Sequence, residues 1–247
     1  TGTGGDPDGN AALNANGYTY VTWAWKKSAV PGFDIVAYEG NGSVRTISHS
    51  LGVAPSMMIM KLRESADSWL VWHEYLGADG FIVLHVDNGA QTGSSYYNDT
   101  APTSSVFTLG TDSSLNKNGE DHIAYLFANV EGFSKAGGYT GNNNADGTFV
   151  YTGFKPAWLM IKMTTAADSW AIFDNKRTDT GGGNVIDKHL RADTSGADHD
   201  PGGDPPVELD FVANGFKHRN NSNQVNGSNN YLYLAFAETP FKYATAR

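Results

Sequence analysis

Two short triplets hold the residue types best suited to ligand chemistry. Asp67-Ser68-Trp69 returns as Asp168-Ser169-Trp170. A flat indole stacks on the apolar face of a pyranose, and a nearby carboxylate accepts hydrogen bonds from its hydroxyls. Trp72 joins the first triplet. On a strand, Trp69 and Trp72 point to opposite faces, so one of the two is turned outward. Trp69, Trp72, Asp168 and Trp170 are therefore the candidate ligand-binding residues. The competing reading is a turn residue followed by a core tryptophan at a strand start, because duplicated units retain core positions most readily.

A second group is acidic. Asp193, Asp198, Asp200, Asp204, Glu208 and Asp210 lie close together among glycines and prolines. Flexible oxygen-rich loops wrap Ca²⁺, and unpaired carboxylates that repel one another gain from a bound cation. Asp193, Asp198, Asp200 and Asp204 are the first metal ligands to consider. The spacing is not that of an EF-hand, and a solvated acidic loop that binds nothing is the alternative.

Other chemistries find little support. The seven histidines form no His-Glu-x-x-His motif, and no serine sits in a Gly-x-Ser-x-Gly elbow. His73 and Glu74 are neighbours, but adjacent strand residues face opposite ways. No glycine-rich loop joins a strand to a helix as phosphate binding requires. Nothing singles out a carboxylate pair for glycoside hydrolysis. A non-enzymatic role is expected. The chain has no cysteine, which excludes disulfides, zinc–thiolate sites and cysteine nucleophiles. Its net charge is −9 with no basic run, which argues against nucleic acid and anionic membranes as partners. Apolar stretches such as Met57 to Met60 are too short for membrane insertion. The chain opens on Thr1 without a signal-peptide pattern, so a fragment or processed form is expected.

The elements that must position these residues are organised as a repeat. Gly52-Val-Ala-Pro55 and the apolar run after it return as Gly153-Phe-Lys-Pro156 and its run, 101 positions later, like the two triplets. A second pattern occurs three times, as Tyr20–Trp25, His122–Phe127 and Tyr231–Phe236. Phe107 matches Phe216 at the larger shift of 109, which places about eight extra residues of the second copy between Phe173 and Phe216. Ordered matches at constant shift indicate duplication.

Short segments rich in Val, Ile, Tyr, Phe and Trp, bounded by turn residues, read as strands. They are 18–26, 56–62, 68–73, 81–86, 121–128, 148–152, 157–163, 169–174, 207–212 and 230–237. No window carries a capped helical stripe. The expected fold class is all-β: tandem duplicated, jelly-roll-like β-sandwich units with few or no helices. The expected organisation is a flexible arm over 1–17, a first unit over 18–128 and a second over 129–247.

Asn129-Val-Glu-Gly-Phe-Ser-Lys135, Gly138-Tyr-Thr-Gly-Asn142, Phe149–Lys162, Asp168-Ser-Trp170, Asn214-Gly-Phe-Lys217 and Tyr231–Lys242 together resemble an uncharacterised domain of tail-fibre-like and other virion structural proteins of bacteriophages, notably marine ones. The resemblance covers nearly all of the second copy and, more weakly, the first. It implies a virion component at the end of a fibre and carries no catalytic or ligand residues. The expected function is receptor binding: a fibre-tip adhesin that contacts a host-surface glycan or protein and also meets other virion proteins, presented as a homotrimer on the particle. A purely structural virion part and a glycan hydrolase are the alternatives.

Overall fold

Met57–Leu62 and Trp158–Met163 lack the alternation of a half-solvated strand, so strands built from them must bury both faces. That requirement organises the whole molecule. The structure is a computed structural model and describes residues 20–178, 183–196, 198 and 207–238.

In the first half the strands are β1 (Phe33–Glu39), β2 (Arg45–Ser48), β3 (Met57–Leu62), β4 (Trp69–His73), β5 (Gly80–Val83), β6 (Gln91–Thr92), β7 (Val106–Leu109) and β8 (Asp121–Phe127). Two four-residue helices, α1 (Ser94–Tyr97) and α2 (Ser113–Asn116), lie between them. The second half holds β9 (Ser134–Thr140), β10 (Phe149–Tyr151), β11 (Pro156–Met163), β12 (Ala171–Asp174), β13 (His189–Leu190), β14 (Leu209–Val212), β15 (Gly215–His218) and β16 (Asn230–Ala237). Among the described residues no helix is long and apolar enough to cross a membrane.

Each half has one large and one small antiparallel sheet. The large sheets run β1-β8-β3-β4-β5-β6 and β9-β16-β11-β12-β13, so five successive strands follow one order in both. The small sheets are β2-β7 and β10-β15-β14. The fold is thus an all-β sandwich formed twice. β14 has no counterpart in β2-β7 and falls in the stretch where the second copy carries its extra residues.

Side-chain alternation divides each large sheet between two interiors. Met58, Met60, Leu70 and Trp72 pack under β2-β7 in a core of the first unit. Leu159, Ile161, Ala171 and Phe173 do the same under the small sheet of the second. The intervening residues, Met57 and Val71 on one side and Trp158, Met160, Trp170 and Ile172 on the other, meet in a third core between the two large sheets. The layers therefore run small, large, large, small.

Matching polar devices mark the duplication as clearly as the cores do. Tyr38 Oη donates to Leu115 O (2.8 Å), and Tyr139 Oη to Val225 O (2.6 Å). Asn116 and Asn226, both fully buried, hold the loops that follow β1 and β9. Buried amides kept this well bonded fix loop conformation without leaving orphan polar groups.

One expected element is absent. The first copy of the threefold motif, read as a strand over 18–26, is irregular from Tyr20 to Lys27. The other two copies are β8 and β16, each held in the middle of a large sheet between two neighbours. Tyr20–Trp25 has no such berth, and its alternate indoles bury against the third core instead. The arm expected over 1–17 lies outside the described residues.

Candidate ligand-binding cleft

The third core is closed at one end and open at the other. At the closed end Trp170 is fully buried, and its indole N–H donates to Val83 O of the first unit (3.0 Å). His73, also fully buried, crosses the same boundary. Its Nδ1 accepts from Tyr75 N (3.1 Å). An amide only donates, so Nε2 carries the proton and donates to Tyr233 O of the second unit (3.1 Å). Burial pushes the His73 pKa down to about 4, opposed by the bond to Tyr233.

At the open end the sheets part around an apolar cleft of about 420 Å³. Trp69, Ile59 and Tyr125 line one wall, Trp158 and Met160 the other, all of them on strands. Trp23 and Trp25 form the rim. Trp25 meets Trp158 edge-on at 5.5 Å and Phe236 at 5.5 Å, and Trp23 meets Trp158 edge-on at 6.1 Å. The cleft thus gathers four of the six tryptophans of the chain, and Trp158 lines it with a buried indole N–H that has no acceptor among the described residues. The Arg177 guanidinium stands 5.5 Å over the Trp23 ring and pairs with Asp174 (2.6 Å). Rigid strands hold the walls, so the aromatic faces are pre-positioned, which reduces the ordering cost of binding.

The candidate residues from the sequence separate on this frame. Lys61 and Lys162 precede the ends of β3 and β11 and donate to Leu62 O (2.6 Å) and Met163 O (2.9 Å), which puts Trp69 and Trp170 at equivalent places. Only Trp69 reaches the open cleft. Trp72 lies in the first unit's core and Trp170 in the closed end of the third, so neither presents a face on which a sugar could stack. For these two the structure favours the core reading, because alternation turns Trp72 under the small sheet and the facing large sheet covers Trp170.

Asp168 is half-buried and accepts from Ser169 N (2.8 Å). Burial raises its pKa, against the pull of Ser169 N–H, Lys162 and Arg191. Lys162, fully buried, donates also to Asp87 O (3.1 Å). Burial lowers its pKa to about 8, opposed by Asp168, Asp193 and Asp87. The structure therefore brings Asp168, a ligand-binding candidate, and Asp193, a metal candidate, together around Lys162.

Of the proposed Ca²⁺ ligands, Asp193 accepts from Trp170 N (2.9 Å) and Asp198 pairs with Arg177. Cationic and amide partners thus already answer both carboxylates. Asp200 and Asp204 lie outside the described residues. Among the described residues no three metal-ligating side chains gather. Sequence reasoning missed Trp23, Trp25 and Trp158. The available signal was that Trp158 stands where the first copy has Met57, an enlargement on one side of a shared interior.

Fold and cleft define a class: a double all-β sandwich with an aromatic opening between its two large sheets. The chain belongs to the family described as a domain of unknown function, DUF7483, whose model matches residues 2–240. No curated protein matches the chain, and no solved structure does.

Proposed function

We propose that the chain is a non-catalytic binding module of a bacteriophage virion, a fibre-tip adhesin that contacts a host-surface glycan or protein. The observation that carries the reading is the open cleft, where a strand holds the half-buried Trp69 beside apolar space whose far wall includes the buried Trp158. The resemblance of 129–162 and 231–242 to tail-fibre-like domains supports the setting. Three groups whose acidity burial shifts, His73, Lys162 and His218, have packing roles instead. His73 bridges the sheets, Lys162 caps main-chain carbonyls, and His218 stacks on Tyr139 at 5.2 Å. Presentation in several copies, as in a homotrimer, would raise weak single-site binding by avidity.

One observation favours a second reading. The cleft lining is almost wholly apolar, as at joints between proteins, and this suits a structural part that receives a segment of another virion protein. Retention of the labelled chain on host cells separates the two. The adhesin reading expects retention, and expects Trp69→Ala to lower it without loss of fold. No retention on cells, with specific retention on other virion proteins, would overturn the adhesin reading in favour of the structural one. Release of oligosaccharides from host polysaccharide would overturn the non-catalytic assignment.

A further inference from the structure

The outer faces of the two small sheets have diverged. In the first unit β2 turns Ile47 inward, opposite Phe107, and leaves Thr46 and Ser48 outward. In the second unit Val150 takes the inward place, opposite Phe216. Its neighbours Phe149 and Tyr151 are then the outward pair, and they are 45% and 65% exposed. The interior needs neither ring, because the same frame in the first unit carries hydroxyls at these places. Side chains two apart on a strand stand on one face, roughly 7 Å apart.

The surroundings of this pair are built. Phe149 faces Lys217 across the sheet, and Tyr151 faces Gly215. A Cβ on Gly215 would stand 3.0 Å from Phe149 Cε2 and 2.0 Å from Val150 O, so the missing side chain leaves room for the ring to lie close to the sheet. Lys217 pairs with Asp146 (2.7 Å) and donates to Gly147 O (2.9 Å). The loop carrying Asp146 is pinned from below by Asn226, which donates to Asn142 Oδ1 and Asn144 O (3.0 Å each). Asp210, next to Lys217 on the neighbouring strand, pairs with Arg219 (2.5 Å). Two ion pairs thus border two exposed rings, and their charges cancel.

We propose that this face of the second unit binds a neutral pyranose oligosaccharide, with adjacent sugar rings stacked on Phe149 and Tyr151 and their hydroxyls bonded to the Asp146–Lys217 pair. A pyranose offers an apolar C–H face to an aromatic ring and a rim of hydroxyls that both donate and accept. The cancelled rim charges and the chain's net charge of −9 select against polyanions. The assignment rests on the binding-module reading but not on the aromatic cleft, which lies between the large sheets.

The test is titration of the whole chain with neutral tetramers of glucose, N-acetylglucosamine, galactose and mannose, by calorimetry and saturation-transfer NMR. At least one tetramer binds. Phe149→Ala and Tyr151→Ala each weaken that binding about tenfold or more with unchanged melting temperature, as truncation of a contact anchor does. Tyr151→Phe keeps the stacking face and binds within about twofold of wild type, and Trp69→Ala binds normally. Absence of binding by all four tetramers overturns the proposal, as does wild-type affinity in both alanine variants. Abolition by Trp69→Ala also overturns it, because the sugar then sits in the cleft. Retention on host cells without tetramer binding sinks this site and spares the adhesin reading. Tetramer binding without cell retention does the reverse.

Discussion

Acid should loosen this protein through two histidines, and the effect can be worked out from their surroundings. His73 is locked as the neutral tautomer between Tyr75 N and Tyr233 O, with its pKa lowered from 6.5 to about 4 by burial. His218 is fully buried, its ring nitrogens have no hydrogen-bond partner among the described residues, and burial next to Lys217 lowers its pKa to about 3. Between pH 6.5 and these folded values the unfolded chain binds protons that the folded chain refuses. Stability therefore falls as pH drops through 6.5, and levels off once the folded pKa is passed. Between pH 7 and 4.5 each histidine contributes about 2–3 kcal/mol of loss, about 5 kcal/mol together, which is comparable to the stability of a whole domain. Other groups titrate nearby. Despite some burial, hydrogen bonds from Ser50, Lys27 and Ile35 hold the Asp34 pKa down, so it adds to acid loss near and below its ordinary value. The raised Asp168 acts in the opposite sense. Comparison with variants cancels both. Urea denaturation at pH 7 and 4.5 is the assay, on wild type, His73→Gln and His218→Phe. Each variant is less stable at pH 7 but should recover about 2–3 kcal/mol of the pH dependence. Variants with the wild-type pH dependence would refute the assignment of acid lability to these side chains.

Three further outcomes are expected. Trp170→Ala should cost about 3–5 kcal/mol, and Trp170→Phe a smaller amount that includes about 1–3 kcal/mol for the orphaned Val83 carbonyl, both read from denaturant midpoints. For Lys162 the folded pKa of about 8 lies below the unfolded 10.5, so the unfolded chain keeps its proton longer and stability rises with pH. Lys162→Met should abolish a rise of about 2 kcal/mol between pH 7 and 9.5, measured by the same titration. A Cβ at Gly138 would meet the Tyr75 ring at 2.2 Å, so Gly138→Ala should destabilise by about 1–3 kcal/mol. Tyr75→Ala in the same chain should relieve most of that loss, and additive losses in the double-mutant cycle would show that the two do not meet.

The strands readable from the sequence were those whose side chains declare burial. The segments 56–62, 121–128, 157–163 and 230–237 are apolar enough to be read alone, and the 101-residue shift marked 157–163 as the partner of the first. β9 escaped because Ser134–Thr140 contains Gly137 and Gly138, which have low strand propensity. Those glycines are required by the Tyr233 and Tyr75 rings that approach their backbone, a requirement set by residues far along the chain. The 18–26 segment fails in the opposite way. Its alternation is that of a strand, but pairing depends on a vacant neighbour, and local pattern does not record one. For the site, periodicity placed Trp69 and Trp72 on opposite faces, yet which face is open was fixed by the docking of the second large sheet. Phe149 and Tyr151 carried no usable signal, since the shift of 101 sets them against Ser48 and Ser50. Only the strand pairing of Ile47 with Phe107 and of Val150 with Phe216 sets them against Thr46 and Ser48.

The third core also sets a counting rule. Each unit has one large sheet that must be covered, and the other unit covers it. Two units cover each other's large sheets except at the open cleft, and their small sheets face outward. A third unit added by the same duplication would carry a bare apolar sheet with no mate. A further duplication would therefore have to add units in pairs, and a cut between 128 and 134 would leave not two smaller proteins but two halves, each with a bare apolar sheet.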